Sequence, residues 1–176
     1  RIHPEDIHKS SYTSWTFRQN TRRMPEFTAP GLGKQSNKVV LDVEVNNAAN
    51  GVLYALGGAS GGLTLYMDKG HLAYEYNMMI IERYFAKSAV PLVAGKHVIE
   101  VTTDIKKPGA PGIVTIVVDG QEVAKVHLKR TVPLAFTATE TFDVGVDLGS
   151  PVSINYADRR PFEFNGKIDS MNISLN

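Results

Sequence analysis

The chain has 176 residues, 43% hydrophobic and 21% charged, with 19 basic against 18 acidic side chains and no cysteine. This length fits one domain over 10–176 with a short arm over 1–9, and a net charge of +1 argues against wholesale disorder and against an electrostatic nucleic-acid binder. The absence of cysteine excludes a disulfide framework, a thiolate zinc site and a cysteine nucleophile.

No apolar run approaches the roughly 18 to 20 residues of a membrane-spanning helix, so no membrane partner is expected. The opening Arg1-Ile2-His3-Pro4 has no signal-peptide apolar core, and a chain that begins with Arg is expected to have been processed or cut from a longer one.

Period-two alternation of apolar and polar side chains recurs in short bursts between glycine, proline and asparagine, which is the pattern of strands. From Lys38 to Val45, Val39, Leu41, Val43 and Val45 take one side and Val40, Asp42 and Glu44 the other. Leu63, Leu65 and Met67 then alternate with Thr64 and Tyr66. After Asp68-Lys69-Gly70, Leu72, Tyr74 and Tyr76 alternate with Ala73 and Glu75. This spacing predicts a hairpin in which Gly70 supplies the positive φ of a tight turn. Met78 to Ala86 comes nearest to a helical window, but its mixed pattern fits a strand after a bulge as well.

Val98 to Thr103 is alternating and β-branched, Lys106-Lys107-Pro108-Gly109-Ala110-Pro111-Gly112 interrupts it, and Ile113 to Val118 resumes it. Asp119-Gly120 between apolar runs is the residue choice of a type I′ turn, which hands over to a strand with Ala124, Val126 and Leu128 inward. Phe142, Val144, Val146 and Leu148 share one face of the next strand. Asp143, Gly145 and Asp147 share the other, expected to be the wet side. A loop from Gly149 to Arg160 leads to a last strand, Ile168 to Leu175, with Met171, Ile173 and Leu175 on one face. About ten short strands of this kind need two sheets face to face to bury both apolar sets. The expectation is an all-β, two-sheet antiparallel jelly-roll sandwich.

The chemistry-bearing residues are sparse. His3, His8, His71, His97 and His127 show none of the close pairings that local metal sites use. Gly57-Gly58-Ala59-Ser60-Gly61-Gly62 resembles a phosphate cradle in composition but leads into a strand, where a cradle needs a helix N-terminus. A β-turn is the expected reading. Asp143 and Asp147 lie four residues apart on one predicted face, about 13 Å at strand rise, too far for a glycosidase acid pair. Calcium suits acids around a loop better, and Asp143, Asp147 and Asp169 flank the last long loop, although no Asp-x-Asp-x-Asp-Gly run accompanies them.

Tyr54, Tyr66, Tyr74, Tyr76 and Trp15 offer rings that could stack on a pyranose or simply fill a core. Arg83 and the arginines Arg18, Arg22, Arg23, Arg159 and Arg160 could bind an anion or pair on the surface. The candidate ligand residues are therefore Tyr66, Tyr74, Tyr76 and Arg83, and no cofactor other than calcium is considered.

The order of motifs carries a resemblance. In the first half these are Ser11-Tyr12-Thr13, Arg22-Arg23-Met24-Pro25-Glu26, Ala29-Pro30, Gly51-Val52-Leu53, Gly57-Gly58, Leu65-Tyr66, Leu72 with Tyr74, Tyr76 and Asn77, and Glu82-Arg83-Tyr84. The second half adds Gly95-Lys96-His97, Val118-Asp119-Gly120, Arg130-Thr131-Val132-Pro133, Thr141-Phe142-Asp143-Val144-Gly145, Gly149-Ser150-Pro151-Val152 and Phe164-Asn165-Gly166-Lys167-Ile168. Over about residues 10 to 176 the chain resembles the C-terminal β-sandwich region of bacterial arylsulfatases. The Val-Asp-Gly hairpin and the terminal Gly-Lys-Ile-Asp strand also resemble concanavalin A-like, laminin G-like sandwiches.

In the sulfatase family the formylglycine nucleophile, from a Cys/Ser-x-Pro-x-Arg motif, and its calcium belong to an N-terminal catalytic domain. This chain contains none of these, so the resemblance carries over no catalytic residue. It implies a non-catalytic accessory module that packs on a sulfatase catalytic domain or binds a ligand with one sheet face. The alternative is a carbohydrate-binding module of concanavalin A-like class, with a glycan as partner.

Overall fold

The computed structural model describes residues 13–137 and 139–176. The arm expected over residues 1–9, with His3 and His8, lies outside them. Among the described residues the strands form two six-stranded antiparallel sheets. The first runs β1 (Ser14–Phe17), β12 (Lys167–Leu175), β3 (Asn37–Val45), β8 (Gly95–Ile105), β9 (Gly112–Val118), β10 (Gln121–Leu128). The second runs β2 (Met24–Pro25), β11 (Thr141–Val144), β4 (Gly51–Gly58), β5 (Gly61–Asp68), β6 (His71–Met78), β7 (Glu82–Lys87).

Period-two patterning builds the shared interior, because alternate side chains of a strand leave on opposite faces. Val39, Leu41, Val43 and Val45 of β3, with Ile99 and Val101 of β8, share one buried cluster with Leu63, Leu65 and Met67 of β5 and Leu72, Tyr74 and Tyr76 of β6. Leu128 is buried there too, and Ala124 and Val126 of β10 pack against it, as their spacing predicts.

The hairpins form as their turn residues require. Lys69 and Gly70 have φ of 50° and 84°, and Asp119 and Gly120 have 51° and 85°, the paired positive values of a type I′ turn. The glycine-rich stretch is the tip between β4 and β5, with Gly57 paired to Gly62. Met78 to Ala86 becomes a hairpin joining β6 to β7. Its tip holds Met79 and Ile80 at φ of 53° and 72°, steadied by the Ile80 amide donating to Asn77 Oδ1 at 2.9 Å.

Two expectations are corrected, the first being that the chain from Gly149 to Arg160 is only a loop between strands. β4, β5 and β6 are buried along nearly their whole length, on both faces. The reason is the chain from Gly145 to Phe164, which crosses the outer face of the second sheet. There Val152, Tyr156 and Phe162 pack on Val52, Ala55, Tyr66 and Ala73 as a second apolar cluster. Tyr156 stacks on Phe162 at 5.3 Å and meets the Tyr66 ring edge-on at 5.0 Å. Within this strap, part of the predicted loop forms a 3-10 helix, Ile154–Arg159, capped by Ser153, whose hydroxyl accepts from the Asn155 amide at 3.1 Å.

The second correction concerns Asp143 and Asp147, which are 1% exposed and not on a wet face. β11 ends at Val144, and Gly145 turns the chain at φ 83°, so the alternation that would put both acids outside stops after one step. A Cβ at Gly145 would sit 2.9 Å from Gln19 Cγ, which makes this turn a glycine position on two counts.

Candidate functional site

The predicted ligand residues do not share one surface. Tyr74 is fully enclosed between the sheets, and burial raises its pKa well above the ordinary phenol value. Tyr66 lies on the outer face of the second sheet but under the strap, where its hydroxyl accepts from Asn155 Nδ2 at 3.2 Å. Neither ring face is open to a sugar. Arg83 Nη1 donates to Glu75 Oε2 at 2.9 Å and to the Val152 carbonyl at 3.1 Å. Burial raises the Glu75 pKa, and the Arg83 charge opposes that rise. Arg83 therefore ties the strap to β6 and β7.

The predicted calcium ligands do not converge. Asp143 accepts the Arg23 amide at 2.6 Å and the Leu148 amide at 3.0 Å. Asp147 Oδ2 accepts the Val152 amide at 2.9 Å and the Tyr156 hydroxyl at 2.5 Å, while Oδ1 has no partner among the described residues. Burial pushes the Asp147 carboxyl up to about 7, and the charges of Asp143 and Glu140 add to the rise. Asp169 belongs to β12 of the other sheet and pairs with Lys167 at 3.3 Å. Among the described residues no group of three His, Cys, Asp or Glu side chains could hold a metal ion.

Tyr76 has a different place. It is fully buried, yet its hydroxyl donates to the Gly33 carbonyl at 2.6 Å and accepts the Val132 amide at 2.8 Å. Gly33 lies in the connection from β2 to β3, and Val132 in that from β10 to β11. These two connections wall a cleft of about 610 Å³ at the end of the sandwich where β1 begins and β12 ends.

Glu26 joins the same walls, its carboxylate accepting the Phe136 amide at 2.6 Å and the Thr137 amide at 3.0 Å. Asn37 Nδ2 fixes the β3 side by donating to the Leu32 and Gln35 carbonyls. Gly33 is required by close approach: a Cβ there would lie 2.5 Å from the Phe136 ring, which itself packs edge-on to Tyr76 at 5.1 Å.

Aromatic rings and polar groups share the cleft: Trp15, Phe27 and Phe136 beside Lys34, Gln35 and Asn176. Phe27 is 75% exposed, so its ring surface is presented to an incoming ligand, and Trp15 lines the cleft half-buried. The volume lies within the roughly 300–1,000 Å³ of small-molecule sites. Of the residues singled out from sequence, Trp15 lines this cleft directly and Tyr76 supports it from beneath. Phe27 and Phe136 carried no periodic signal, because both sit in irregular connections. A large apolar side chain between Pro25 and Pro30 was the only sequence cue for Phe27.

No protein-family model matches the chain, and no curated protein matches it. Solved structures do. Domains LG4-5 of the mouse laminin α1 chain are similar with a TM-score of 0.60 at 14% identity, over 92% of this chain and 42% of that one. The present chain thus spans less than half of that laminin structure. The CBM40 of the Ruminococcus gnavus IT-sialidase, bound to α2,3-sialyllactose, gives 0.60 at 14% identity over 94% and 90%. The Caenorhabditis elegans galectin LEC-6 gives 0.52 at 13% over 90% and 95%. The chain is an all-β, two-sheet antiparallel jelly-roll sandwich with the concanavalin A-like, laminin G-like fold. The sulfatase resemblance gains no support from these structures.

Proposed function

We propose that this chain is a non-catalytic carbohydrate-binding module whose ligand enters the end cleft between the 26–36 and 129–137 connections. The observation that carries the reading is the juxtaposition of Trp15 and Phe27 ring surface with Lys34, Gln35 and Asn176 in one braced cleft. An aromatic face matches the apolar face of a pyranose, and amide and ammonium groups around it can bond to ring hydroxyls. A structure of similar fold with sialyllactose bound supports the same direction. Calorimetric titration of the purified chain with oligosaccharides chosen by glycan array tests the reading. Binding that Phe27→Ala weakens at least about tenfold is expected, since exposed aromatic anchors commonly carry most of a site's affinity. An array without a hit, or a hit indifferent to Phe27→Ala and Trp15→Ala, overturns it.

One observation favours a second reading, an accessory module packed on a catalytic domain such as that of a sulfatase. Ile80, Ile81 and Leu134 are 62%, 76% and 77% exposed, and all three lie at the cleft end of the sandwich. Apolar tips gathered this way suit a protein surface. Association with an arylsulfatase catalytic domain that is lost in Ile81→Ser, with no glycan bound, would replace the first reading by this one.

A further inference from the structure

A second cavity, of about 500 Å³, opens at the same end on the edge of the first sheet, formed by the β8–β9 connection and the adjoining ends of β9 and β10. Its charged lining is Lys106 and Lys129 against the single carboxylate of Asp104, with Lys107 next along the chain and His127 also in the lining. Among the described residues none of Lys106, Lys107 and Lys129 has an ion-pair partner. Ammonium groups that line one cavity in excess over its single carboxylate, and that form no ion pair, attract an anion. Apolar surface lies beside them in Ala110, Pro111 and Ile113.

The loop carrying the lysines is built, not loose. Its Ala110 carbonyl accepts the buried Thr131 hydroxyl at 2.6 Å, and the Ala110 amide donates to the Lys107 carbonyl at 3.1 Å. Gly109 takes φ 86° to close the turn. At Gly112 a Cβ would meet Ile105 Cγ1 at 2.9 Å, so the strand leaves the loop through a glycine-only approach. The Thr131 bond also ties this cavity to the end cleft. Lys129 lines the cavity, Val132 and Phe136 line the cleft, and one short stretch of chain is the wall between them.

We propose that this cavity is an anion subsite of the same binding surface, taking a carboxylate or sulfate of an acidic glycan whose neighbouring sugar occupies the cleft. The assignment rests on the glycan reading and adds its ligand class. Lys106 and Lys129 hold the anion, Ile113 and Pro111 contact the sugar ring that bears it, and the chain crosses the 129–136 wall.

The test titrates the whole chain with three oligosaccharides of equal length, one neutral, one containing a uronic acid and one sulfated, at low and at moderate salt. An acidic probe is expected to bind at least about tenfold more tightly than the neutral one, with the advantage shrinking as salt rises. In a Lys106→Gln/Lys129→Gln variant with unchanged thermal unfolding, that advantage disappears and neutral binding stays. The uronate and sulfate arms identify the anion. Equal binding of all three probes overturns the subsite and leaves the glycan reading intact. Acidic binding that survives in the double variant, or that polyphosphate reproduces and Trp15→Ala does not weaken, also overturns it. No binding of any probe removes the glycan reading itself.

Discussion

The Tyr76 hydroxyl donates to the Gly33 carbonyl at 2.6 Å from inside the core, and the same oxygen receives the Val132 amide at 2.8 Å. A β6 side chain thereby holds both walls of a cleft to which it contributes no surface. Tyr76 is a positioning residue, because it acts on a ligand only through Gly33 and Val132. Tyr76→Phe keeps the ring but leaves a buried carbonyl and a buried amide without their partner, which costs about 1–3 kcal/mol. Urea unfolding should show that loss. Ligand affinity should fall in Tyr76→Phe while Tyr66→Phe, under the strap, leaves affinity unchanged. Equal affinity in wild type and Tyr76→Phe would contradict the bracing role.

Gly33 faces the Phe136 ring so closely that an added methyl has no room. Gly33→Ala should therefore push the 129–137 wall outward and destabilise the fold by about 1–3 kcal/mol. A Gly33→Ala chain with wild-type thermal unfolding would show that the ring moves aside freely.

Asp147 sets a pH dependence of stability. In the folded chain burial holds its carboxyl at about 7, against an ordinary value of 3.8 in the unfolded chain. Between those values the folded state binds more protons than the unfolded one. Stability is therefore lost as pH rises from about 4 to about 7. The magnitude is on the order of 2–4 kcal/mol at most. Chemical denaturation across this range measures the slope, and Asp147→Asn should flatten it. An unchanged slope in the variant would assign the dependence elsewhere.

His97 acts in the same direction at higher pH. Its Nδ1 lies 2.6 Å from Asp119 Oδ2 and its Nε2 2.6 Å from the Val93 carbonyl, so both nitrogens face acceptors and both donate only when the ring is charged. Burial alone would lower its pKa, but the Val93 and Asp119 bonds outweigh burial and raise it above 6.5. The contribution is complete below that value and is lost as pH rises through the raised one. An NMR titration should place the His97 midpoint above 6.5, and His97→Gln should remove the loss of stability that accompanies its deprotonation. A midpoint below 6.5 would mean the imidazolium is not favoured.

The sandwich was legible from local pattern because strand periodicity and turn chemistry are set by neighbours in the chain. Val39 to Val45 sort onto two faces whatever lies opposite, and Asp119-Gly120 selects its turn by backbone sterics alone. Which faces would be covered was not legible in the same way. Asp143 and Asp147 read as wet because alternation shows neither that Gly145 ends the strand nor that the chain after it packs back on the sheet, and Tyr66 read as a platform because the same strap carries no period. The cleft depended on contacts between residues far apart in sequence, Tyr76 with Gly33 and Glu26 with Phe136, joined in irregular connections that carry no period. Local sequence thus determined the strands, the hairpins and the inward stripes, since these follow from side-chain alternation and φ preference. Only the tertiary structure decided which rings are buried, which are open and which loops meet, because burial is a property of what packs on a face from elsewhere in the chain.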